Sequence, residues 1–144
     1  MLKKCFGSLF LTSICLFSFS VNAFATEMNI YETPEITIEE YQSVSEILCG
    51  LSISGTTATC RSGATGLIGV TEISVEQTLQ KRNGNHFENV SGAKWSTSVQ
   101  DDYILFENTK TGLSSGTYRV KSVFKVKKGS TTEEITSYSG EVTI

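Results

Sequence analysis

The chain has 144 residues, 39% hydrophobic and 19% charged, with a formal net charge of −3 at pH 7. That is one domain's length, and its mild acidity offers no basic face for nucleic acid. One histidine and four cysteines leave little material for histidine-based catalysis or a zinc site.

The chain opens MLKKCFGSLFLTSICLFSFSVNAFATE. Lys3 and Lys4 form a basic n-region, an apolar run extends from Cys5 to Val21, and Ala23-Phe24-Ala25 supplies the small-x-small pattern of a signal peptidase site. Residues 1–25 are therefore read as a secretory signal peptide cut after Ala25. Thr12, Ser13, Ser18 and Ser20 dilute a run that barely reaches the ~18 residues of a membrane span. Cys5 and Cys15 leave with this segment, and no later run is apolar enough to cross a bilayer. The exported chain keeps ten basic and fifteen acidic residues, a balance of −5. The imbalance is local: between Thr26 and Cys60 stand six glutamates and no lysine or arginine. Residues 26–46, with the single proline Pro34, are read as an acidic arm, and 47–144 as the folded domain.

The domain begins with CGLSISGTTATC, Cys49 to Cys60. In an oxidising compartment a lone cysteine pair is usually bridged. A two-residue turn at Ser54-Gly55 sets Ile53 opposite Thr56, Leu51 opposite Ala58 and Cys49 opposite Cys60. This register predicts a structural Cys49–Cys60 disulfide stapling the first two strands, worth at most about 3 kcal/mol for so short a loop. Ten residues separate the thiols, so there is no CxxC redox pair.

The remainder alternates apolar and polar residues between turn signals. In TEISVEQTLQ, Ile73, Val75 and Leu79 face one way and Glu72, Ser74, Glu76 and Thr78 the other. Asn83-Gly84 marks a hairpin turn. HFENVSGAKWSTSV reads as a short, broken pair of strands, and Tyr103–Phe106 as the next. After a turn bracketed by Gly112 and Gly116, YRVKSVFKVK is the clearest strand: Tyr118, Val120, Phe124 and Val126 point in, Arg119, Lys121, Lys125 and Lys127 out. Lys128-Gly129-Ser130 turns into a last strand ending at Ile144. About seven strands with almost no helical period predict an all-β, immunoglobulin- or fibronectin III-like sandwich. Gly116-Thr117-Tyr118 stands where such folds place a tyrosine whose hydroxyl bonds nearby backbone. The third and sixth strands would be neighbours, with Glu72 and Glu76 sharing an outer face with Arg119, Lys121 and Lys125.

The runs ISG-x-x-ATC, ISVEQTLQKRNG, a tryptophan segment and SSGTYRVKSVFKV resemble a family of small secreted single-domain proteins from clostridia and related Gram-positive bacteria. The resemblance spans roughly Gly50 to Lys127 and implies one exported sandwich with a LQK-type third strand and a GTYRVK-type sixth. The family is of unknown function and lends no catalytic or binding residue. Phe87 stands where the family carries a tryptophan.

Chemistry is sparse. Any serine triad would need His86, with Ser91, Ser96 or Ser98 as nucleophile and Asp101 or Asp102 as orienter, yet no GxSxG elbow surrounds a serine. The doublets Asp101-Asp102 and Glu133-Glu134 place neighbours on opposite faces of a strand, which makes no acid/base pair. No calcium-loop or phosphate-loop spacing occurs. The expectation is a non-catalytic domain with no cofactor and no metal. Aromatic residues remain: Tyr103, Tyr138, Trp95 and Phe87 are candidates for a sugar-stacking platform, although a lone tryptophan in this fold, here Trp95, suits the core better. The sequence thus predicts a secreted binding or adhesion module whose partner is a protein or glycan at the cell surface. The alternative is a carbohydrate-binding module built on Tyr103, Tyr138 and Trp95. Without a wall-sorting motif, attachment to a cell wall would be non-covalent or absent.

Overall fold

The computed structural model describes residues 41–144; the signal peptide read over 1–25 and all but the end of the acidic arm lie outside the described residues. The chain forms eight strands: β1 (Val44–Ser54), β2 (Thr57–Gly66), β3 (Val70–Asn83), β4 (His86–Val99), β5 (Tyr103–Lys110), β6 (Thr117–Lys128), β7 (Thr131–Tyr138) and β8 (Val142–Thr143). One sheet has the order β1-β2-β5; the other has β4-β3-β6-β7, with β8 also pairing β6. All pairings are antiparallel. The architecture is the predicted all-β, fibronectin III-like sandwich, with the expected last strand divided in two.

The division has a local cause. Ser139 receives the Val120 N–H on its side-chain oxygen at 2.8 Å while its own N–H donates to the Val120 carbonyl at 3.0 Å. A side chain thus stands in for a ladder group, and the backbone leaves β7 before β8 rejoins β6.

The core follows the period-2 pattern. Ile73, Val75 and Leu79 of β3 and Tyr118, Val120, Phe124 and Val126 of β6 are buried, as their alternation predicts. They meet Val44, Ala64 and Ile104 at one end of the sandwich and Leu51, Ala58 and Cys60 at the other. The Tyr118 hydroxyl donates to the Ser114 carbonyl at 2.6 Å, the corner contact the sequence suggested.

Three hairpins share one turn rule. β1–β2, β3–β4 and β6–β7 each turn through two residues, led by Gly55, Gly84 and Gly129 with φ of +59°, +59° and +61°. No non-glycine among the described residues has positive φ. The glycine therefore takes the first turn position, as a type II′ geometry requires, and the second keeps negative φ.

This rule overturns the expected cysteine register. With Gly55-Thr56 as the turn, Ser54 faces Thr57, Leu51 faces Cys60 and Cys49 faces Ser62. Placing the turn at Ser54-Gly55 would have forced a serine into the left-handed region. Cys49 and Cys60 become diagonal neighbours, about 7–8 Å apart in such ladders, beyond ordinary disulfide reach. Both are free, buried thiols. The predicted Cys49–Cys60 bridge is absent, and the two strands are held by their ladder and core contacts.

A polar cluster occupies the interior between the sheets. Gln77 Nε2 donates to Ser62 Oγ at 2.7 Å and to the Phe106 carbonyl at 3.3 Å, and Gln77 Oε1 accepts from Asn108 Nδ2 at 2.9 Å. Ser62 and Ser122 hydroxyls meet at 2.7 Å, and Ser122 meets Cys49 Sγ at 3.1 Å. Gln77, Ser62 and Ser122 are all fully buried. Among the described residues every buried side-chain nitrogen and oxygen finds a partner, as buried polar groups must to avoid a desolvation penalty.

Candidate functional site

The outer face of the larger sheet carries a band of cations and aromatic rings. Side chains alternate, so the inward run Val75, Gln77, Leu79 turns Glu76, Thr78 and Gln80 outward. In the same way β6 presents Arg119, Lys121 and Lys125 outward between buried residues. Pairing sets Gln80 opposite Arg119 on one side and Asn89 on the other, with Thr78 between Lys121 and Lys94. Tyr138 of β7 pairs with Lys121, and Phe87 of β4 with Arg82.

Arg119 reaches between two rings. Its guanidinium lies 4.0 Å from the Phe87 centroid and 4.2 Å from the Tyr138 centroid. Its Nε donates to Gln80 Oε1 at 2.9 Å, and Gln80 Nε2 donates to Asn89 Oδ1 at 3.0 Å. Arg82 adds a second cation, 5.1 Å from the Phe87 centroid, and is ion-paired with Glu141. A planar guanidinium between two rings gains cation–π attraction and orders all three side chains. Thr78 and Gln80, although outward, are only 5% and 8% exposed: Gln80 lies beneath Arg119, and Thr78 between Lys94 and Lys121. Tyr138 remains 37% exposed. Among the described residues Arg119 and Lys121 make no ion pair with a carboxylate.

Farther along the same face lies an open trough of about 610 Å³, lined by hydroxyls of Ser74, Ser96 and Ser98, with Val123, Lys125 and Glu134. Lys125 lies six positions beyond Arg119 along β6, about 20 Å of strand. The predicted sharing of this face by Glu72, Glu76 and the β6 cations holds, but their ion partners lie on the edge strands: Lys94 pairs with Glu76 at 3.0 Å and Lys125 with Glu134 at 3.8 Å. Glu72 accepts hydrogen bonds from Gln100 and Ser98, which hold its carboxyl below the usual range.

The expected aromatics are dispersed. Trp95 pairs with the inward Gln77 and packs, partly buried, against the core. Tyr103, 55% exposed, lies on the outer face of the smaller sheet, beside Thr65 and near exposed Leu105. Only Tyr138, with Phe87, belongs to the stack. Sequence reading had both rings but missed Arg119 as the plate between them.

The triad candidates are not assembled. His86 begins β4, exposed, with Nε2 2.9 Å from Glu88 Oε1. Asp101 and Asp102 follow the far end of that fourteen-residue strand. The contacts from His86 and Asn83 hold the Glu88 carboxyl below its usual range. Among the described residues no three His, Cys, Asp or Glu side chains group to hold a metal, and no helix is long and apolar enough to cross a membrane.

No family model and no curated protein matches this chain. Among solved structures, a crystal structure of wild-type OgpA from Akkermansia muciniphila is similar at 13% identity, over 72% of this chain and 30% of that one, with a TM-score of 0.43. This chain spans less than a third of that protein's length.

Proposed function

We propose that the chain is an exported, non-catalytic β-sandwich module, of the small Gram-positive type its motifs resemble, that binds glycan through the outer face of its larger sheet. The observation that carries this reading is the Phe87–Arg119–Tyr138 stack. Rings already fixed against a guanidinium lose little freedom when a pyranose settles on them. The outward N–H groups of Arg119, the amide of Asn89 and the Lys121 ammonium supply hydrogen bonds to hydroxyls at the edge of such a sugar. The hydroxyl-lined trough extends the same surface for a longer chain.

Glycan-array binding followed by affinity measurement on single variants tests it. Arg119→Ala and Tyr138→Ala should each weaken binding about tenfold or more, whereas Tyr103→Ala and His86→Ala should leave it unchanged. A wild-type protein that binds no glycan, or variants of the stack that bind as wild type does, would defeat the reading.

A second reading rests on the other sheet. Leu105 is 57% exposed beside Tyr103 and Leu48, across the side-chain-free surface of Gly63. Exposed apolar groups clustered this way suit contact with a protein. Loss of a captured surface protein on Leu105→Glu, with glycan binding unchanged or absent, would favour it.

A further inference from the structure

A cavity of about 450 Å³ opens at one end of the sandwich, between the end of β3, the start of β4, the end of β5 and the 111–116 loop. Its size lies in the range of small-ligand pockets. The apolar part of its lining is Tyr118, Leu113 and Val90, with Tyr118 fixed by its bond to the Ser114 carbonyl. Three cations line it, Lys81, Arg82 and Lys110, against one carboxylate, Glu88. Arg82 is engaged with Glu141, and Glu88 with His86 and Asn83. Lys81 and Lys110 make no ion pair among the described residues. Lys81 Nζ donates to Ser114 Oγ at 2.7 Å and stands 5.4 Å from the Tyr118 ring centroid.

Both lysines pass a glycine that leaves them room. A β-carbon at Gly116 would collide with the Lys81 side chain, and one at Gly92 would come within 3.3 Å of Lys110 Nζ. Gly92 has φ +67° and lies in an irregular stretch of β4, where residues 90–93 stand against Leu79 alone. The backbone bulges where the Lys110 ammonium sits.

We propose that this cavity binds an acidic monosaccharide, its carboxylate held by Lys81 and Lys110. Two ammonium groups suit one carboxylate, since charge-assisted hydrogen bonds are the strong ones. Half-buried Val90 presents apolar surface to the sugar's C–H face above a floor of buried Leu113 and Tyr118, and Asn89 and Glu88 at the rim offer a donor and an acceptor for its hydroxyls. This site borders the sheet-face stack at Arg82 and Asn89, but Lys81 and Lys110 take no part in the stack, and the proposal does not depend on the reading given to it.

Titration of the ¹⁵N-labelled full chain with glucuronate, glucose and glucose 6-phosphate tests it by NMR. Glucuronate should give saturable shifts at the amides of Gly112, Leu113 and Ser114, and glucose none. Lys110→Met should weaken glucuronate at least about tenfold, and Lys110→Arg should retain most of the affinity. Because Lys81 also packs on Tyr118, Lys81→Met is judged only if the spectrum of the core is preserved; Lys110 stands alone as the deciding variant. No saturable shift, glucose binding as well as glucuronate, glucose 6-phosphate binding in its place, or unchanged affinity in Lys110→Met would each overturn the proposal.

Discussion

Replacing Gln77 with leucine probes the polar cluster at the centre of the sandwich. Leucine nearly fills the same volume, so the perturbation is chiefly the loss of three hydrogen bonds, to Ser62, the Phe106 carbonyl and Asn108. Each bond contributes about 1 kcal/mol net, and a buried partner left unsatisfied costs about 1–3 kcal/mol. The partners differ in what they lose. Ser62 keeps Ser122 at 2.7 Å, and Asn108 is half-exposed and turns to water; the Phe106 carbonyl bears the remainder. The expected destabilisation is about 2–4 kcal/mol, a large share of the roughly 5–15 kcal/mol typical of a domain this size. In thermal unfolding it should appear as a fall of roughly 10–25 °C. Urea denaturation should show a lower midpoint at unchanged slope. The triple variant Ser62→Ala, Gln77→Leu, Ser122→Ala removes the donors and acceptors together and ends the chain at Cys49, a thiol that tolerates apolar surroundings. It should be no less stable than Gln77→Leu alone. A single variant as stable as wild type, or losses that simply add, would show that the cluster contributes nothing as a unit.

Other consequences follow from individual groups. Tyr118→Phe removes the 2.6 Å bond to Ser114 and should cost about 1 kcal/mol, seen as a drop in melting temperature of about 4–8 °C. Burial pushes the Cys49 thiol up to about 11 and the Cys60 thiol up to about 12. Both should therefore resist alkylation in the folded protein and react in urea, which peptide mass analysis of the two positions reads directly. Their folded values lie above the unfolded ones, so the stability they carry is complete below about pH 9 and falls as pH rises beyond it. Glu72 and Glu88 are depressed, so their contribution is present above the ordinary carboxylate range and lost as pH falls through their folded values. Two-dimensional NMR titration should show both protonating below the other exposed glutamates.

The strands were legible where local chemistry alternates. In β6 lysine and arginine stand between Tyr118, Val120, Phe124 and Val126, and only one orientation buries the second set. β3 is equally plain at Ile73, Val75 and Leu79, and that alternation already points position 77 inward. A glutamine there announces a buried partner, but Ser62 and Ser122 become its neighbours only through sheet packing. Turn position failed for a sharper reason. Ser54-Gly55-Thr56 accommodates a two-residue turn in either of two places, and the choice depends on which residue must take positive φ. A shift of one residue at the turn moves the opposing strand by two. It preserved every inward and outward assignment while separating Cys49 from Cys60. The disulfide expectation fell on register, although the face on which both cysteines lie was read correctly.

The candidate surface was harder to read for the same physical reason. Phe87, Arg119 and Tyr138 are separated by 32 and 19 positions and sit on three different strands. They converge only because β3 and β6 are central and β4 and β7 flank them. Any one of the three is an ordinary surface residue alone. What ties them together is the side chain beneath: Gln80, polar and outward, is only 8% exposed and accepts a hydrogen bond from Arg119. A fully solvated face would leave Gln80 wet. The bond from Arg119 to Gln80 ties the guanidinium, and with it both rings, to the sheet, and a pre-ordered aromatic surface is what a sugar ring requires. The prediction that separates this from a merely structural clasp is Arg119→Lys. An ammonium keeps the charge but cannot lie flat between two rings, so glycan affinity should fall about as far as in Arg119→Ala while the melting temperature moves by only a few degrees. Equal affinity in Arg119→Lys and wild type would reduce Arg119 to a source of charge and remove the plate from the argument.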